Sequence, residues 1–323
     1  MPSENKNLIQ PPLKWAGGKR KMIDIINSAV NTLESPFSYY EPFFGGGSVF
    51  FDLYNKGYIN KAYLNDIVPQ VVNFYDTIRT NGNLDEFFTI VNRIEKKFNN
   101  LLPDHEKRKK EYLKLRDEFN TLWLSKSHQS GKTKIILAAY FLALNKLGFN
   151  GMFRVNTKGE FNIPVGSHSR KQLINFQNIK MVSMALKEAQ FTNLDYKDTK
   201  PFKGVIPRNN FVFLDPPYIP NSKTSNFTDY SIEGFNYDSH LLLGKKYTKL
   251  IQKKNINVIL TNNLNQESID IFITPNQKNR KLFAYEVDIT KTISADPKSR
   301  GNTKELLLST FEIEHIKLKN INL

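Results

Sequence analysis

The chain contains no cysteine, which excludes a disulfide framework, a thiolate metal site and a cysteine nucleophile. Histidine is scarce, 5 residues in 323, and His105, His128, His240 and His315 show no metal-ligand spacing with one another or with nearby acids. No catalytic metal is therefore expected. Long apolar runs are missing too. The best candidate, Ile135 to Leu144, is too short to span a bilayer and is followed by Asn145 and Lys146. Met1 to Gln10 is polar, without the apolar stretch of a secretion signal. The chain reads as soluble and unexported: cytoplasmic, or virus-encoded and acting in a host cell, with no membrane partner. Acidic residues fall short of basic ones, 31 against 46, leaving a net charge of +15. Such a charge is the footprint of a nucleic-acid partner. A Lys- and Asn-rich composition drawn from an AT-rich genome would produce it as well, so charge alone decides nothing.

What is present suffices for a core: 40% hydrophobic and 12% aromatic residues over an enzyme-sized length. Residues 1–10 read as a flexible arm. A Gly/Lys-rich turn, Pro11 to Arg20, leads into a helical pattern from Met22 to about Leu33. Ser38 to Glu41 is a short aromatic strand that runs into Pro42-Phe43-Phe44-Gly45-Gly46-Gly47, and a helix begins near Ser48. Lys61 to Asn65 is a second strand, ending at Asp66. Strand, glycine loop, helix and strand ending in an acid is how a parallel nucleotide-binding sheet begins.

From about Val68 to Leu147 the pattern is helical. His105 to Leu124 is strongly charged with Tyr112, Leu115 and Phe119 as its apolar stripe, and Ile135 to Leu147 is apolar nearly all round. Gly148 to Gly166 changes character, with Arg154 to Asn156, the turn Thr157-Lys158-Gly159 and Glu160 to Ile163 alternating like a hairpin, and Asn175 to about Ala189 is helical. Sheet signals then resume: strands at Gln190 to Leu194, Asn210 to Leu214 and Asn257 to Leu260, a helix from Ser239 to Lys253, and a closing antiparallel pair at Leu282 to Asp288 and Glu305 to Phe311. The fold class is α/β: a Rossmann-like, mostly parallel sheet with an antiparallel closing hairpin, plus an inserted, mainly helical domain carrying a β-hairpin. The expected division is a catalytic domain of residues 11–71 and 190–315 and a target-recognition domain of residues 72–189.

Asp215-Pro216-Pro217-Tyr218 is the most specific signal. It follows an apolar strand directly, at the carboxyl edge where open α/β sheets bind ligands. The prolines remove two backbone donors and stiffen the turn. A carboxylate and a rigid carbonyl can then both accept from one exocyclic amine, while the tyrosine ring offers a stacking face worth about 1–3 kcal/mol. Holding an amine by both hydrogens aims its lone pair at an electrophile. Gly17-Gly18-Lys19 is not a phosphate loop, because Arg20 stands where Ser or Thr is required and the glycines are adjacent. Asp66 is placed to accept from ribose hydroxyls; a helix cap before Ile67 is the plainer alternative.

Lys14-Trp15-Ala16-Gly17-Gly18-Lys19, Glu41 to Ser48, Asn65-Asp66, the Phe149 to Pro164 segment and Asp215 to Tyr218 stand in one order along the chain. In this the sequence resembles the Dam-type (alpha-group, D12 class) DNA adenine-N6 methyltransferases over nearly its whole length. The resemblance implies S-adenosylmethionine as cofactor and duplex DNA as partner, with the target adenine flipped into a pocket where Asp215, Pro216 and Tyr218 are catalytic. It places Trp15, Lys19, Glu41, Phe43, Gly45, Gly47, Asp66, Asp195 and Asp215 around the cofactor, with Lys19 meeting the methionine carboxylate and Asp195 the adenine.

It also implies a GATC site. Lys14 would contact the first base pair and Arg154 would read the guanine opposite the last base, a bidentate pairing open to arginine in the major groove. Phe149 and Asn150 would fill the gap left by the flipped base. Met152 and Pro164 would touch thymine methyls, and His168 would stand at a further contact. Phe149 and His168 both replace a tyrosine common in the family. Ser225-Asn226-Phe227-Thr228 matches a family segment beside the target-base pocket. A cognate restriction endonuclease, acting separately, is a partner the resemblance allows. Two other readings stand beside this one: methylation of an RNA adenine or a protein glutamine amide, and a catalytically silent DNA-binding protein.

Overall fold

The computed structural model describes residues 8–125, 131–167, 172–219, 235–279, 281–290 and 302–321. His128, His168 and the 225–228 segment lie outside the described residues. The chain opens with a 3-10 turn, Lys19–Met22, and a helix, α1 (Ile23–Val30). This helix ends before Leu33 because the Thr32 and Leu33 amides tighten onto the carbonyls of Ala29 and Val30. Strand β1 (Phe37–Glu41), α2 (Ser48–Asn55), β2 (Ile59–Asn65) and α3 (Pro69–Arg79) follow, α3 with proline at its first position. Three longer helices come next: α4 (Leu84–Asn100), α5 (His105–Leu124) and α6 (Gly131–Leu147).

After α7 (Phe176–Leu186) the chain returns to the sheet with β3 (Gln190–Thr192), a short helix α8 (Lys200–Lys203) and β4 (Asn210–Leu214). Helix α9 (Tyr237–Ile251), β5 (Val258–Asn263), β6 (Phe283–Thr290), β7 (Asn302–Ser309) and β8 (Leu318–Asn320) complete it. The sheet order is β3-β2-β1-β4-β5-β7-β6-β8. The first five strands pair in parallel, and β7, β6 and β8 close the sheet by antiparallel pairing. The closing hairpin predicted from the sequence is thus extended by β8, a three-residue strand without enough periodicity to be seen.

Period-two alternation explains how β4 is covered. Phe211 and Phe213 join the core on one face of the sheet, while Val212 and Leu214 join that on the other, against Leu243 and Tyr247 of α9. The first core continues without a break into the inserted helices, through Phe74 and Phe141, and into the hairpin, through Phe161. Helix α6 is apolar on all sides and is packed by α3, α4 and α5 accordingly. On α5, Tyr112, Leu115 and Phe119 are the buried stripe and most of the charge faces water. Two side chains of its inner side do more. Tyr112 donates to the Ile163 carbonyl at 3.0 Å, and the Asn120 carboxamide both accepts from and donates to the Phe161 backbone.

Those bonds anchor the predicted hairpin, which is narrower than a regular ladder. Its described pairs are single antiparallel bridges, Gly148 with Val165 and Val155 with Phe161. The turn between them is closed by Asn156, whose side chain accepts from the Lys158 and Glu160 amides. Residues 8–10, at the end of the segment read as an arm, lie against the body. Ile9 is buried, and its backbone pairs with the Asn55 carboxamide. No described helix is long and apolar enough to cross a membrane.

Candidate active site

Successive strands run outward from β1 in one direction through β2 and β3, and from β4 in the other through β5. The reversal lies between β1 and β4, the position at which open α/β sheets bind ligands at the carboxyl ends of their strands. Three acids converge there: Glu41, the last residue of β1; Asp66, just after β2; and Asp215, just after β4. Parallel register brings them together, since Ser38 to Tyr40 of β1 pair with Asn210 to Val212 and β1 ends opposite Leu64 of β2.

Lys19 supplies the opposite charge. Its side chain is buried, and Nζ lies 2.8 Å from Asp215 Oδ1, donates to the Gly17 carbonyl at 2.7 Å and sits 4.7 Å from the Tyr218 ring centroid. Asp215 Oδ1 also accepts from Thr261 Oγ1 at 2.8 Å. Burial raises the Asp215 pKa above the usual carboxylate value, against the pull of Lys19 and Thr261. Glu41 is buried more completely and rises well above its ordinary value by desolvation, although Tyr39 donates to it at 3.0 Å. Asp66 is pushed up to about 6 by burial, moderated by the amides of Val68 and Gly45, which it accepts at 2.8 and 2.7 Å. Asp66 therefore ties the glycine loop to the start of α3.

The glycine loop is shaped by close approach. Gly45 has φ +50°, and a Cβ there would fall 2.5 Å from Trp15 Cδ1. Trp15 is half-buried and stacks on Phe153, with ring centroids 6.0 Å apart. Gly47 caps α2. Phe43 packs against Tyr196, 5.2 Å between centroids, and this brings the loop beside Asp195. The Asp195 carboxylate caps the turn that follows, accepting from the Lys197 amide and pairing with Lys197 Nζ at 2.9 Å. Tyr218 completes the site. Its hydroxyl donates to Glu305 Oε2 at 2.7 Å, and burial, reinforced by Asp215 and Glu305, raises its pKa well above the ordinary value.

The segment expected to touch DNA lies beyond Trp15. Phe149 is 42% exposed and its amide donates to the Pro164 carbonyl at 2.9 Å. Asn150 has φ +53°, Met152 is half-buried, and Arg154 and Pro164 are exposed. Arg154 Nε donates to Asn162 Oδ1 at 2.9 Å. Lys14 is exposed, and its backbone is held by Asn145 of α6.

The structure thus gathers Lys19, Glu41, Asp66, Asp215 and Tyr218 at one sheet edge, with Trp15 and the glycine loop as one wall. Asp195 stands at the end of the neighbouring strand β3. Sequence reasoning missed Thr261, Glu305 and Asn145. Glu305 did leave a trace, as a lone acid before the buried run Leu306-Leu307-Leu308. Thr261 and Asn145 left none, because each lies in an apolar element and acts on a residue far away in the chain.

Residues 15–292 match the family model described as D12 class N6 adenine-specific DNA methyltransferase. A curated relative named Type II methyltransferase M.MjaIII, from Methanocaldococcus jannaschii, is 34% identical over 82% of this chain and 86% of its own length. Type II methyltransferase M1.LlaDCHI from Lactococcus lactis subsp. cremoris is 28% identical over 95% of this chain and 98% of its own. A protein named DNA adenine methylase from Vibrio cholerae is 29% identical over 91% and 94%. With the acids at the sheet's switch point and a family match over most of its length, the chain belongs to the D12 class of N6 adenine-specific DNA methyltransferases.

Proposed function

We propose that the chain transfers a methyl group from S-adenosylmethionine to N6 of an adenine flipped out of a duplex GATC site. The observation that carries this is Asp215 at the carboxyl end of β4, partly buried and paired with Lys19, with the Tyr218 ring beside that ammonium. The donor set suits the cofactor. Glu41 and Asp66 stand at the same sheet edge as the Lys19–Asp215 pair, buried acceptors for the hydroxyls and α-ammonium of such a ligand. Lys19 would face the methionine carboxylate, Asp66 the ribose and Asp195 the adenine, with Trp15, Phe43, Gly45 and Gly47 as walls.

The cofactor supplies an electrophilic methyl, so the chain's task is orientation and charge. Asp215 accepts from the N6 amino group, and its raised pKa makes it a stronger acceptor than an exposed carboxylate. The Pro216 carbonyl accepts a hydrogen bond from the second N6 hydrogen, Tyr218 supports the base from its face, and the proton that N6 loses on methylation passes to solvent. Residues 11–71 and 190–315 form the catalytic unit and residues 72–189 the target-recognition unit; Lys14 of the first and Arg154 of the second read the outer base pairs, and Phe149, Asn150, Met152 and Pro164 line the rest. The type II methyltransferase names of two relatives support a separately acting restriction endonuclease as functional partner; the proposed place of action is the cytoplasm.

The test is methyl transfer from labelled cofactor to otherwise identical duplexes with and without GATC. Label confined to the GATC duplex supports the reading. Equal labelling sinks the specificity, and absence of label from both sinks the reaction.

A further inference from the structure

Three asparagines hold the segment that leads into the active site, all in the same way. In each the carboxamide oxygen accepts from a backbone amide and the carboxamide nitrogen donates to the carbonyl of that same residue. Asn55 of α2 holds Ile9 at 3.0 and 3.1 Å, Asn178 of α7 holds Gln10 at 2.8 and 2.8 Å, and Asn145 of α6 holds Lys14 at 2.9 and 2.7 Å. The carboxamide thus copies the peptide pairing of a sheet, one residue at a time. Asn145 differs from the other two. It is 2% exposed, and its nitrogen makes a third bond, to the Gly151 carbonyl at 3.1 Å.

This third bond joins two stretches far apart in sequence. Lys14 and Gly151 meet so closely that a Cβ on Gly151 would lie 2.4 Å from Lys14 Cβ. One residue beyond Lys14 and two beyond Gly151, Trp15 and Phe153 continue the contact by stacking. Arg154 follows directly. A single buried carboxamide therefore sets where the Lys14 backbone stands relative to the turn that delivers Phe149, Met152 and Arg154.

We infer that Asn145 is a specificity-positioning residue, whose three hydrogen bonds lock Lys14 and the 149–154 segment into one reading unit. The inference rests on the proposed reading that Lys14 and Arg154 contact DNA. Asn145 touches no base itself. Its loss lets the two readers move independently, so discrimination falls at both outer base pairs together, while the Lys19, Asp66 and Asp215 cluster stays in place. An aspartate would be worse than a small residue, because it would set a carboxylate against two carbonyls that now receive hydrogen bonds.

The experiment compares Asn145→Ser and Asn145→Asp with the unsubstituted chain on duplexes carrying GATC or a change at either outer base pair. Transfer rates are measured at varied DNA concentration, and cofactor affinity by equilibrium dialysis. The expected result is a discrimination loss of about tenfold at both outer positions, carried by KM for DNA, with unchanged cofactor affinity and a larger effect for Asn145→Asp. Loss at one position only, or a folded variant with unchanged discrimination, overturns the inference.

If both variants fail to fold, a double-substitution cycle in the otherwise intact chain decides. Lys14→Ala and Arg154→Ala should couple, because they share one support; penalties that simply multiply overturn the inference. The same single variants separate it from the reading beneath. Unchanged site preference in Lys14→Ala and Arg154→Ala overturns the DNA reading itself. Altered preference there with none in Asn145→Ser overturns the role of Asn145 alone.

Discussion

The Tyr218 hydroxyl donates to the Glu305 carboxylate at 2.7 Å, across 87 residues of sequence. Glu305 lies on β7, directly opposite Asn263 of β5 in the antiparallel register, and Thr261, which donates to Asp215, is two residues from Asn263 on the same face of the sheet. Asp215 and Tyr218, the two side chains of the Asp-Pro-Pro-Tyr turn proposed to act on the base, are thus held by diagonal neighbours on adjacent strands. Glu305→Ala leaves a partly buried hydroxyl without its acceptor, costing about 1 kcal/mol or somewhat more. Single-turnover methyl transfer should slow correspondingly, with cofactor affinity retained. Glu305→Gln, which can still accept, should recover most of the rate. Equal loss in both variants would show that the carboxylate does something other than hold the ring.

Asp215→Asn keeps the shape of the side chain but exchanges one acceptor oxygen for a donor and removes the charge that pairs with Lys19. The expected loss of methyl transfer is on the order of 10²-fold or more, read at saturating cofactor and DNA. Asp215→Ala should abolish transfer, leaving DNA binding by gel shift nearly intact.

The Asp66 carboxyl is pushed up to about 6 by burial, from an ordinary value of 3.8. Its folded-state pKa is therefore above the unfolded one, and between these values the native state binds the proton more tightly. Its contribution to stability falls as pH rises through that window, by up to about 3 kcal/mol, and levels off above it. Thermal melts of the unsubstituted chain and Asp66→Asn across pH 4 to 7 should differ in slope in that direction. An opposite difference would mean that the two amide hydrogen bonds outweigh desolvation.

Gly45→Ala meets two obstacles at once, a positive φ and the Trp15 ring at 2.5 Å. Displacing Trp15 opens the proposed cofactor wall. Cofactor affinity, followed by equilibrium dialysis, should drop about tenfold or more, an energy in the range of one strained residue. Retained affinity would remove the loop from the cofactor pocket.

Arg154→Ala should relax discrimination at one guanine by about 1–3 kcal/mol, measured on duplexes substituted at that base pair. The exposed guanidinium is already oriented by Asn162 through Nε, which leaves its two terminal nitrogens to face a base. Asn162→Ala should therefore weaken the same discrimination to a smaller extent.

Much of the architecture was legible because it is local. Glycine after a strand, an acid at a strand end, a doubly proline-stiffened turn and a helix apolar on every side each follow from a few consecutive residues, and the family resemblance needed only their order. The 15–292 match confirms the class. The inserted helices, the parallel strands with their antiparallel closure and the buried stripe of α5 all appear where periodicity placed them, within a few residues at their ends. The same local logic missed β8, too short to show a period, and gave the hairpin a more regular ladder than its single bridges provide.

The sequence by itself determined which chemical groups stand at the sheet's edge, because strand ends and turns are written in neighbouring residues. Only the tertiary structure decided what holds those groups. Thr261 on Asp215, Glu305 on Tyr218 and Asn145 between Lys14 and Gly151 are pairings across 46, 87, 131 and 6 residues. A hydrogen bond depends on distance and angle between two atoms, and an isolated Thr, Glu or Asn in an apolar element does not name its partner. The partner is set by strand register and helix packing, which no single stretch of sequence contains.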